Sequence, residues 1–216
     1  MKKEFYNLII LDKSGSMMTI RNQAIAGVNE TVGTIRHSAK ETETVQMVSL
    51  MTFCGCSMSY PVCNRPVESV QTITEADYEP CCTTPLYDAI GSACTTLKRE
   101  LAGKDNACVS VTIITDGYEN SSREWTAGSV RALIDSLKAE GWLFAFIGAN
   151  IDVKKVSFEL SIDNSLSFVA DEEGTRAMFC RERESRRLWT KSVASACCMD
   201  PSLNKHYFSP DGKDNK

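Results

Sequence analysis

Two short segments far apart in the chain carry side chains that suit a divalent cation. In the first, Asp12 directly follows an apolar run, and Ser14 and Ser16 stand at the next alternate positions. In the second, Asp116 and then glycine follow another apolar run. Apolar strands that end in this way place their polar residues at the carboxyl edge of an open α/β sheet, where such folds bind ligands. Carboxylate and hydroxyl oxygens, without thiolate or imidazole, predict a site for a hard cation such as Mg²⁺ or Mn²⁺.

The elements that must position these residues alternate between strands and helices. Apolar runs predict buried strands, and apolar residues at helical spacing predict helices. The predicted strands are 5–11, 45–53, 57–62, 108–115, 142–147 and 166–169, the predicted helices are about 20–35, 86–101, 130–137, 152–159 and 171–193, and residues 63–83 form a long loop. This alternation predicts an α/β fold of the Rossmann-like, doubly wound kind, in which helices flank a mostly parallel central sheet.

Thr84 is a third candidate near the same sheet edge. It precedes the most regular amphipathic helix pattern of the chain, where it can cap the helix, and Pro85 can occupy the first helical position. A helix that starts beside the strand ends would bring the Thr84 hydroxyl close to Asp12 and Asp116. We therefore expect Thr84 to be a metal ligand as well as a helix cap.

Taken in order, these motifs resemble a known family. The chain contains Asp-x-Ser-x-Ser, then Thr-Pro-Leu-Tyr-Asp-Ala-Ile at a helix start, then Thr-Asp-Gly. This pattern is similar to the metal-ion-dependent adhesion site of von Willebrand factor A (vWA) domains, and the resemblance covers about residues 3–170. It implies a vWA fold and a Mg²⁺ or Mn²⁺ site formed by Asp12, Ser14, Ser16, Thr84 and Asp116.

Longer stretches look like a narrower group within this family. Residues 114–124, 146–152 and 171–176 resemble bacterial and phage intracellular vWA proteins, some of which are grouped with tellurium-resistance proteins. One departure concerns the loop before Thr84, which reads Cys81-Cys82-Thr83 where relatives commonly have glycine or another small residue. That departure leaves Thr83 as the alternative to Thr84 among the ligands.

The resemblance implies a binding function. Hydroxyl ligands, with the two aspartates bound largely through water, would leave the cation much of its positive charge. An open coordination position then attracts a Glu or Asp side chain of a partner protein. We expect the rim of this site to be formed by Lys13, Met17, Tyr118 and Glu119.

An enzyme is the alternative function. A metal-bound Asp/Ser cluster could serve a hydrolase or a phosphotransfer enzyme. Phosphotransferases with an aspartyl nucleophile usually carry a second acid two residues further on, and here that position is Ser14. The chain has no Gly-x-x-x-x-Gly-Lys-Ser/Thr, Gly-x-Gly-x-x-Gly or His-Glu-x-x-His motif. Asp88, Glu119 and Asp152 have plainer structural interpretations, so a binding domain is favoured over an enzyme.

Composition is that of an ordinary globular protein. With 216 residues, 43% hydrophobic and 24% charged, the chain fits a single domain over residues 1–198 followed by a polar, loose tail at 199–216. Its net charge of −4 disfavours nonspecific nucleic-acid binding. No apolar run is long enough to span a membrane, and the N-terminus lacks the pattern of a signal peptide. We therefore expect a cytoplasmic protein and not an extracellular adhesin.

The ten cysteines lack the spacing of common zinc motifs. For a cytoplasmic chain the expected state is ten reduced thiols. A structural zinc site built from Cys54, Cys56, Cys63 and the Cys81-Cys82 pair is a less favoured alternative. Residues 181–187 are strongly charged, and a solvated helix face is preferred there over a basic interaction surface.

Overall fold

A six-stranded sheet organises the part of the chain that the computed structural model describes, residues 2–197 and 200–208. Its strands are β1 (Glu4–Asp12), β2 (Val45–Cys54), β3 (Ser57–Pro66), β4 (Ala107–Thr115), β5 (Leu143–Gly148) and β6 (Asn164–Ser167). The strand order is β3-β2-β1-β4-β5-β6. β2 and β3 form an antiparallel hairpin, and the other neighbouring strands are parallel. The predicted doubly wound α/β fold is confirmed.

Helices cover both faces of this sheet. They are α1 (Arg21–Thr42), α2 (Leu86–Glu100), α3 (Ala127–Ala139), α4 (Val153–Glu159) and α5 (Glu172–Ser195), with short 3₁₀ helices at Gly15–Ile20, Val67–Ser69 and Pro201–Asn204. α1 and α5 pack on one face of the sheet, and α2, α3 and α4 pack on the other, so that each face has its own apolar core. β1 lies in the middle and contributes alternate side chains to both cores.

The two ends of the sheet differ from the sequence prediction. β3 continues through Pro66, into residues predicted as loop, because pairing with β2 as far as Met47 holds them extended. Proline is tolerated there because β3 is an edge strand. β6 begins at Asn164 instead of residue 166, since its register is set by parallel pairing with Ala145 to Gly148 of β5.

Residues 200–208 pack against the domain, whereas the sequence predicted a loose tail from residue 199. Tyr207 and Phe208 are each only 5% exposed and belong to the core beneath α5. The Tyr207 hydroxyl donates a hydrogen bond to Glu182 Oε1 at 3.2 Å, and Trp189 Nε1 donates one to Asn204 Oδ1 at 2.9 Å. Burial of the apolar surface of these two aromatic residues favours packing of the segment, although most residues around them are polar. The rest of the predicted tail, residues 199 and 209–216, lies outside the described residues.

α5 also differs from the solvated helix that its charges predict. Glu182 and Arg186 are each 1% exposed, and their ion pair measures 2.7 Å. The Arg186 guanidinium also donates hydrogen bonds to polar side chains of the sheet, namely Asn7, Ser110 and Thr112. The charged stretch therefore has one face buried in the molecule, where paired charges replace apolar side chains. Within the described residues, no helix is both long enough and apolar enough to cross a membrane.

Candidate metal centre

Asp12 is held at the carboxyl end of β1 by two hydrogen bonds. Its Oδ1 accepts the backbone N–H of Ser14 at 2.7 Å, and its Oδ2 accepts the hydroxyl of Thr115, at the end of β4, at 2.6 Å. β1 and β4 are parallel neighbours, so the carboxyl ends of both strands lie at the same edge of the sheet. Asp12 has no exposed surface, and its carboxylate is therefore fixed between the carboxyl ends of these two strands.

Asp116 meets the serines of the first loop. Ser16 Oγ donates a hydrogen bond to Asp116 Oδ1 at 2.5 Å, and Ser14 Oγ lies 3.3 Å from Ser16 Oγ. The 3₁₀ helix that begins at Gly15 turns Ser16 back toward the end of β4. The structure thus brings four of the five predicted ligands together although a hundred residues of chain separate them.

Thr84 is the fifth ligand predicted, and it also faces this cluster. A β-carbon placed on Gly117 would lie 3.3 Å from Thr84 Oγ1 and 3.9 Å from Ser16 Oγ, so both hydroxyls border the same glycine. The Thr83 hydroxyl lies elsewhere, against Gly55, where an added β-carbon would be 2.1 Å from it. The geometry therefore favours Thr84 over Thr83.

Thr84 does not cap α2, which corrects the second role predicted for it. The helix begins at Leu86, and its N-cap residue, Pro85, makes no capping hydrogen bond. The side chains of Glu119 and Ser122 instead accept the N–H groups of Tyr87 and Asp88 in the first turn. Thr84 is tied instead to the loop after β4, because its N–H donates to Asn120 Oδ1 at 2.8 Å and its carbonyl accepts from the Asn120 N–H at 3.1 Å. These bonds hold the residue in a conformation that turns its hydroxyl to the sheet edge.

The cluster contains two buried aspartates, and their surroundings affect the pKa of each. Among the described residues, neither Asp12 nor Asp116 forms an ion pair with a lysine or arginine. Burial raises the pKa of Asp12 to about 6, and the nearby Asp116 charge adds to this effect. Burial likewise raises the pKa of Asp116, although the Ser16 hydroxyl opposes it. Two buried carboxylates and three hydroxyls form an all-oxygen donor set, which fits a hard divalent cation.

The predicted rim is correct only in part. Met17 is fully buried in the core, whereas the next residue, Met18, is 49% exposed. Glu119 is occupied by the backbone of its own loop, since it accepts the N–H groups of Ser121 and Ser122 and that of Tyr87 on α2. Tyr118 is 52% exposed and fits the prediction. Among the residues that adjoin the predicted ligands in sequence, Tyr118 and Met18 are therefore exposed, and Lys13 is half-buried.

Other residues organise the site without having been predicted. Thr115 positions Asp12, Asn120 positions Thr84, and the Tyr78 hydroxyl donates to the Asp12 carbonyl at 2.6 Å. Thr115 belongs to the Thr-Asp-Gly motif and could have been found from it. Tyr78 lies in the loop after β3, and no local pattern indicates that it reaches β1.

The acids weighed as catalytic candidates have structural roles. Asp88 accepts the backbone N–H groups of Arg123, Glu124 and Trp125, at 2.7 to 2.9 Å, and so anchors the loop that leads into α3. Asp152 caps α4 by accepting the N–H of Lys155. Both agree with the structural interpretations made from the sequence.

Comparisons with known proteins concern the fold. No protein-family model matches the chain, and no curated protein matches it by sequence. Solved structures do match, over most of the chain. Manganese-loaded TRAP protein from Plasmodium vivax is 16% identical over 82% of this chain and 72% of its own, with a TM-score of 0.54. The SpRpn10 VWA domain is 11% identical over 82% of this chain and 94% of its own, with a TM-score of 0.58.

A third neighbour is the pilus adhesin SpaC from Lactobacillus rhamnosus GG, which is 12% identical, with a TM-score of 0.66. It covers 86% of this chain, but this chain spans only 31% of the adhesin. These likenesses show that the chain has the fold of vWA domains, with a mostly parallel sheet of the same kind.

Proposed function

We propose that this vWA-fold chain is a metal-dependent protein-binding domain, which holds Mg²⁺ or Mn²⁺ through Asp12, Ser14, Ser16, Thr84 and Asp116 and grips an acidic side chain of a partner protein. The observation that carries the proposal is the meeting of these residues, from three separate segments, at one sheet edge. The manganese loading of the TRAP neighbour supports a divalent cation at a site of this fold.

The charges of the site support a carboxylate as the partner group. The hydroxyls of Ser14, Ser16 and Thr84 are neutral ligands, and the two aspartates would reach the cation largely through water, so the cation would be only weakly screened at the open side of the site. A Glu or Asp from a partner would then bind the cation directly there. Tyr118 and Met18 follow the ligand-bearing motifs in sequence and are exposed, so they could offer apolar surface for the residues around that acid.

Metal binding is the first step to test. Saturating Mn²⁺ or Mg²⁺ should raise the melting temperature, because a ligand that binds only the folded state stabilises it by mass action. The Asp12→Ala/Asp116→Ala double variant should lose this response. Asp105→Ala is the matched control, since Asp105 is an exposed acid just before β4, at the opposite end of that strand. A response that survives in the double variant would place the cation elsewhere.

Partner capture is the second step. A pull-down from native lysate with Mg²⁺, repeated with EDTA and with Asp116→Ala, should recover a partner only in the first case. Replacement of the contacting Glu or Asp of that partner by Gln or Asn should then abolish binding. A partner that binds equally well in EDTA would refute the carboxylate grip.

A binding role is proposed in preference to catalysis because the Asp12 carboxylate accepts hydrogen bonds at both oxygens and is buried. It is poorly placed to attack a substrate. Metal-dependent hydrolysis or phosphotransfer by the same cluster is the alternative, and turnover of phosphate esters by the wild type, lost in Asp12→Ala, would support it. We further propose a cytoplasmic location, which the thiol content of the chain supports.

A further inference from the structure

Four cysteines gather beside the candidate metal centre. The sulfur atoms of Cys56, Cys81 and Cys82 all lie within 4.8 Å of one another. The sulfur of Cys54 lies next to this group, 3.4 Å from that of Cys81. Thiolates that share one tetrahedral Zn²⁺, with Zn–S bonds of about 2.3 Å, have their sulfurs about 3.8 Å apart. The spacing of Cys56, Cys81 and Cys82 is therefore close to that of thiolates on one cation, and Cys54, in contact with Cys81, lies where a fourth ligand could come from.

The cluster joins two segments of the chain. Cys54 ends β2 and Cys56 lies in the turn before β3, whereas Cys81 and Cys82 belong to the loop before α2. Backbone hydrogen bonds hold that loop against its neighbours: Gly55 N–H donates to the Thr83 carbonyl, Gly15 N–H to that of Cys82, and Cys81 N–H to that of Lys13. The sulfurs thus converge because the backbone brings their segments together.

The environment of the sulfurs suits a bound cation. Cys56 and Cys82 are exposed and Cys81 is half-buried, so an ion can enter from solvent. Burial acts to raise the pKa of the Cys54 thiol, but hydrogen bonds, among them those from the backbone N–H groups of Cys56 and Ser57, outweigh it and lower the pKa. Hydrogen bonds between neighbouring thiols raise the pKa of Cys56 and raise that of Cys81 to about 12, so these ligands would lose their protons only as the cation binds. Hydrogen bonds to a ligating sulfur are a usual feature of thiolate metal centres.

Cys63 is not part of the group, although the sequence made it a candidate. It stands six residues beyond Ser57 along β3, which corresponds to about 20 Å of strand. The cluster thus differs from the zinc site considered from spacing alone, which included Cys63.

We propose that Cys54, Cys56, Cys81 and Cys82 form a thiolate site for one Zn²⁺, separate from the oxygen site for Mg²⁺. Soft thiolate ligands select Zn²⁺ over Mg²⁺, whereas the oxygen cluster has the opposite preference. The thiol protons are released to solvent when the cation binds. The site closes the β2–β3 turn onto the loop that carries Thr84.

Co²⁺ is the probe for this site, because tetrahedral thiolate ligation gives it charge-transfer and visible absorption that oxygen ligation does not. The reduced, metal-free full-length chain should bind one Co²⁺ with this spectrum and release it when Zn²⁺ is added. Cys81→Ser/Cys82→Ser should abolish the spectrum. Cys56→Ser and Cys54→Ser should each lose about a quarter of the charge-transfer absorption, since each removes one of four thiolates.

Two controls separate this proposal from the others. Cys63→Ser/Cys180→Ser removes two exposed thiols outside the cluster and should leave the spectrum unchanged. Asp12→Ala/Asp116→Ala should also keep it, even if Mg²⁺ binding is lost. Circular dichroism tests whether each variant is folded. If Cys81→Ser/Cys82→Ser does not fold, the reduced absorption of Cys56→Ser tests the proposal in its place. A missing thiolate spectrum in the reduced wild type, or a Cys54–Cys81 disulfide in protein purified under reducing conditions, would overturn the proposal.

Discussion

The carboxyl group of Asp12 must be ionised before the oxygen cluster can hold a cation. Burial raises its pKa to about 6, above the ordinary value of 3.8. Between these two values the folded state therefore binds more protons than the unfolded state, and in EDTA the contribution of Asp12 to stability falls as pH rises toward 6. A divalent cation acts in the opposite direction, because it favours the ionised form.

We therefore expect the Mn²⁺-induced rise in melting temperature to be full at neutral pH and to shrink as pH falls through about 6. Thermal unfolding with Mn²⁺ and with EDTA, across this range, measures the difference. Asp12→Asn keeps the size of the side chain without a titrating group, so any smaller response that it retains should not decline through this range. A response that persists undiminished well below the pKa of Asp12 would exclude that carboxylate from the site.

The site residues that could be predicted from the sequence are those that a local sequence pattern indicates. Asp12, Ser14, Ser16 and Asp116 follow apolar strands directly, so the strand ends indicate where they lie. The burial of Met17 and the capture of Glu119 by its own loop depend on packing that no short pattern contains. The contact of Cys54 with Cys81 likewise requires that the loop before α2 packs against the end of β2, which no local pattern indicates.

Among the helices and strands, α5 allows the clearest prediction of an effect on the free energy of unfolding. Its Arg186 and Glu182 form a buried ion pair against the sheet. Removal of one partner leaves the other charged and buried, which costs about 3–5 kcal/mol, whereas replacement of both by apolar side chains often costs little. Arg186→Met should therefore lower the free energy of unfolding by about 3–5 kcal/mol.

The double variant Arg186→Met/Glu182→Leu should recover only part of this loss, because Asn7 and Thr112 still lack the donor that Arg186 supplies. Urea unfolding measures both variants. Arg187→Met is the matched control on the same helix, since its pair with Glu184 is partly exposed and should contribute about 0–1 kcal/mol. Equal losses from Arg186→Met and Arg187→Met would mean that the inner pair is not buried in solution.

The apolar spacing of the helices and strands predicted most elements, including their order. The spacing did not indicate that one face of α5 is buried, because the sequence does not distinguish a charged residue paired inside the molecule from one exposed to solvent. It also missed the second half of β3, where pairing with β2 overrides the local signals of Asn64 and Pro66.

For the molecule as a whole, residues 200–208 extend the packed domain. Tyr207 is buried beneath α5 and donates its hydroxyl to Glu182. Tyr207→Ala should lower the free energy of unfolding by about 3–5 kcal/mol, as for other large aromatic side chains removed from a core. Tyr207→Phe, which loses only the hydrogen bond, should cost about 1–2 kcal/mol. Urea unfolding tests both, and an unchanged stability in Tyr207→Ala would show that this segment does not pack in solution.

The fold class followed from the alternation of strand and helix patterns, and the likeness to vWA structures agrees with it. The packing of residues 200–208 did not follow, because a short polar segment with two aromatic residues has no periodicity to indicate burial.

Two backbone hydrogen bonds join the loop of Cys81 and Cys82 to the loop that follows Asp12. The Gly15 N–H donates to the Cys82 carbonyl at 3.1 Å, and the Cys81 N–H donates to the Lys13 carbonyl at 2.8 Å. The two proposed cation sites would therefore share a stretch of backbone. If Zn²⁺ at the sulfurs changes the affinity for Mg²⁺ by some factor, Mg²⁺ must change the affinity for Zn²⁺ by the same factor. Such heterotropic cooperativity would let the supply of a soft metal set the strength with which a hard metal holds a partner.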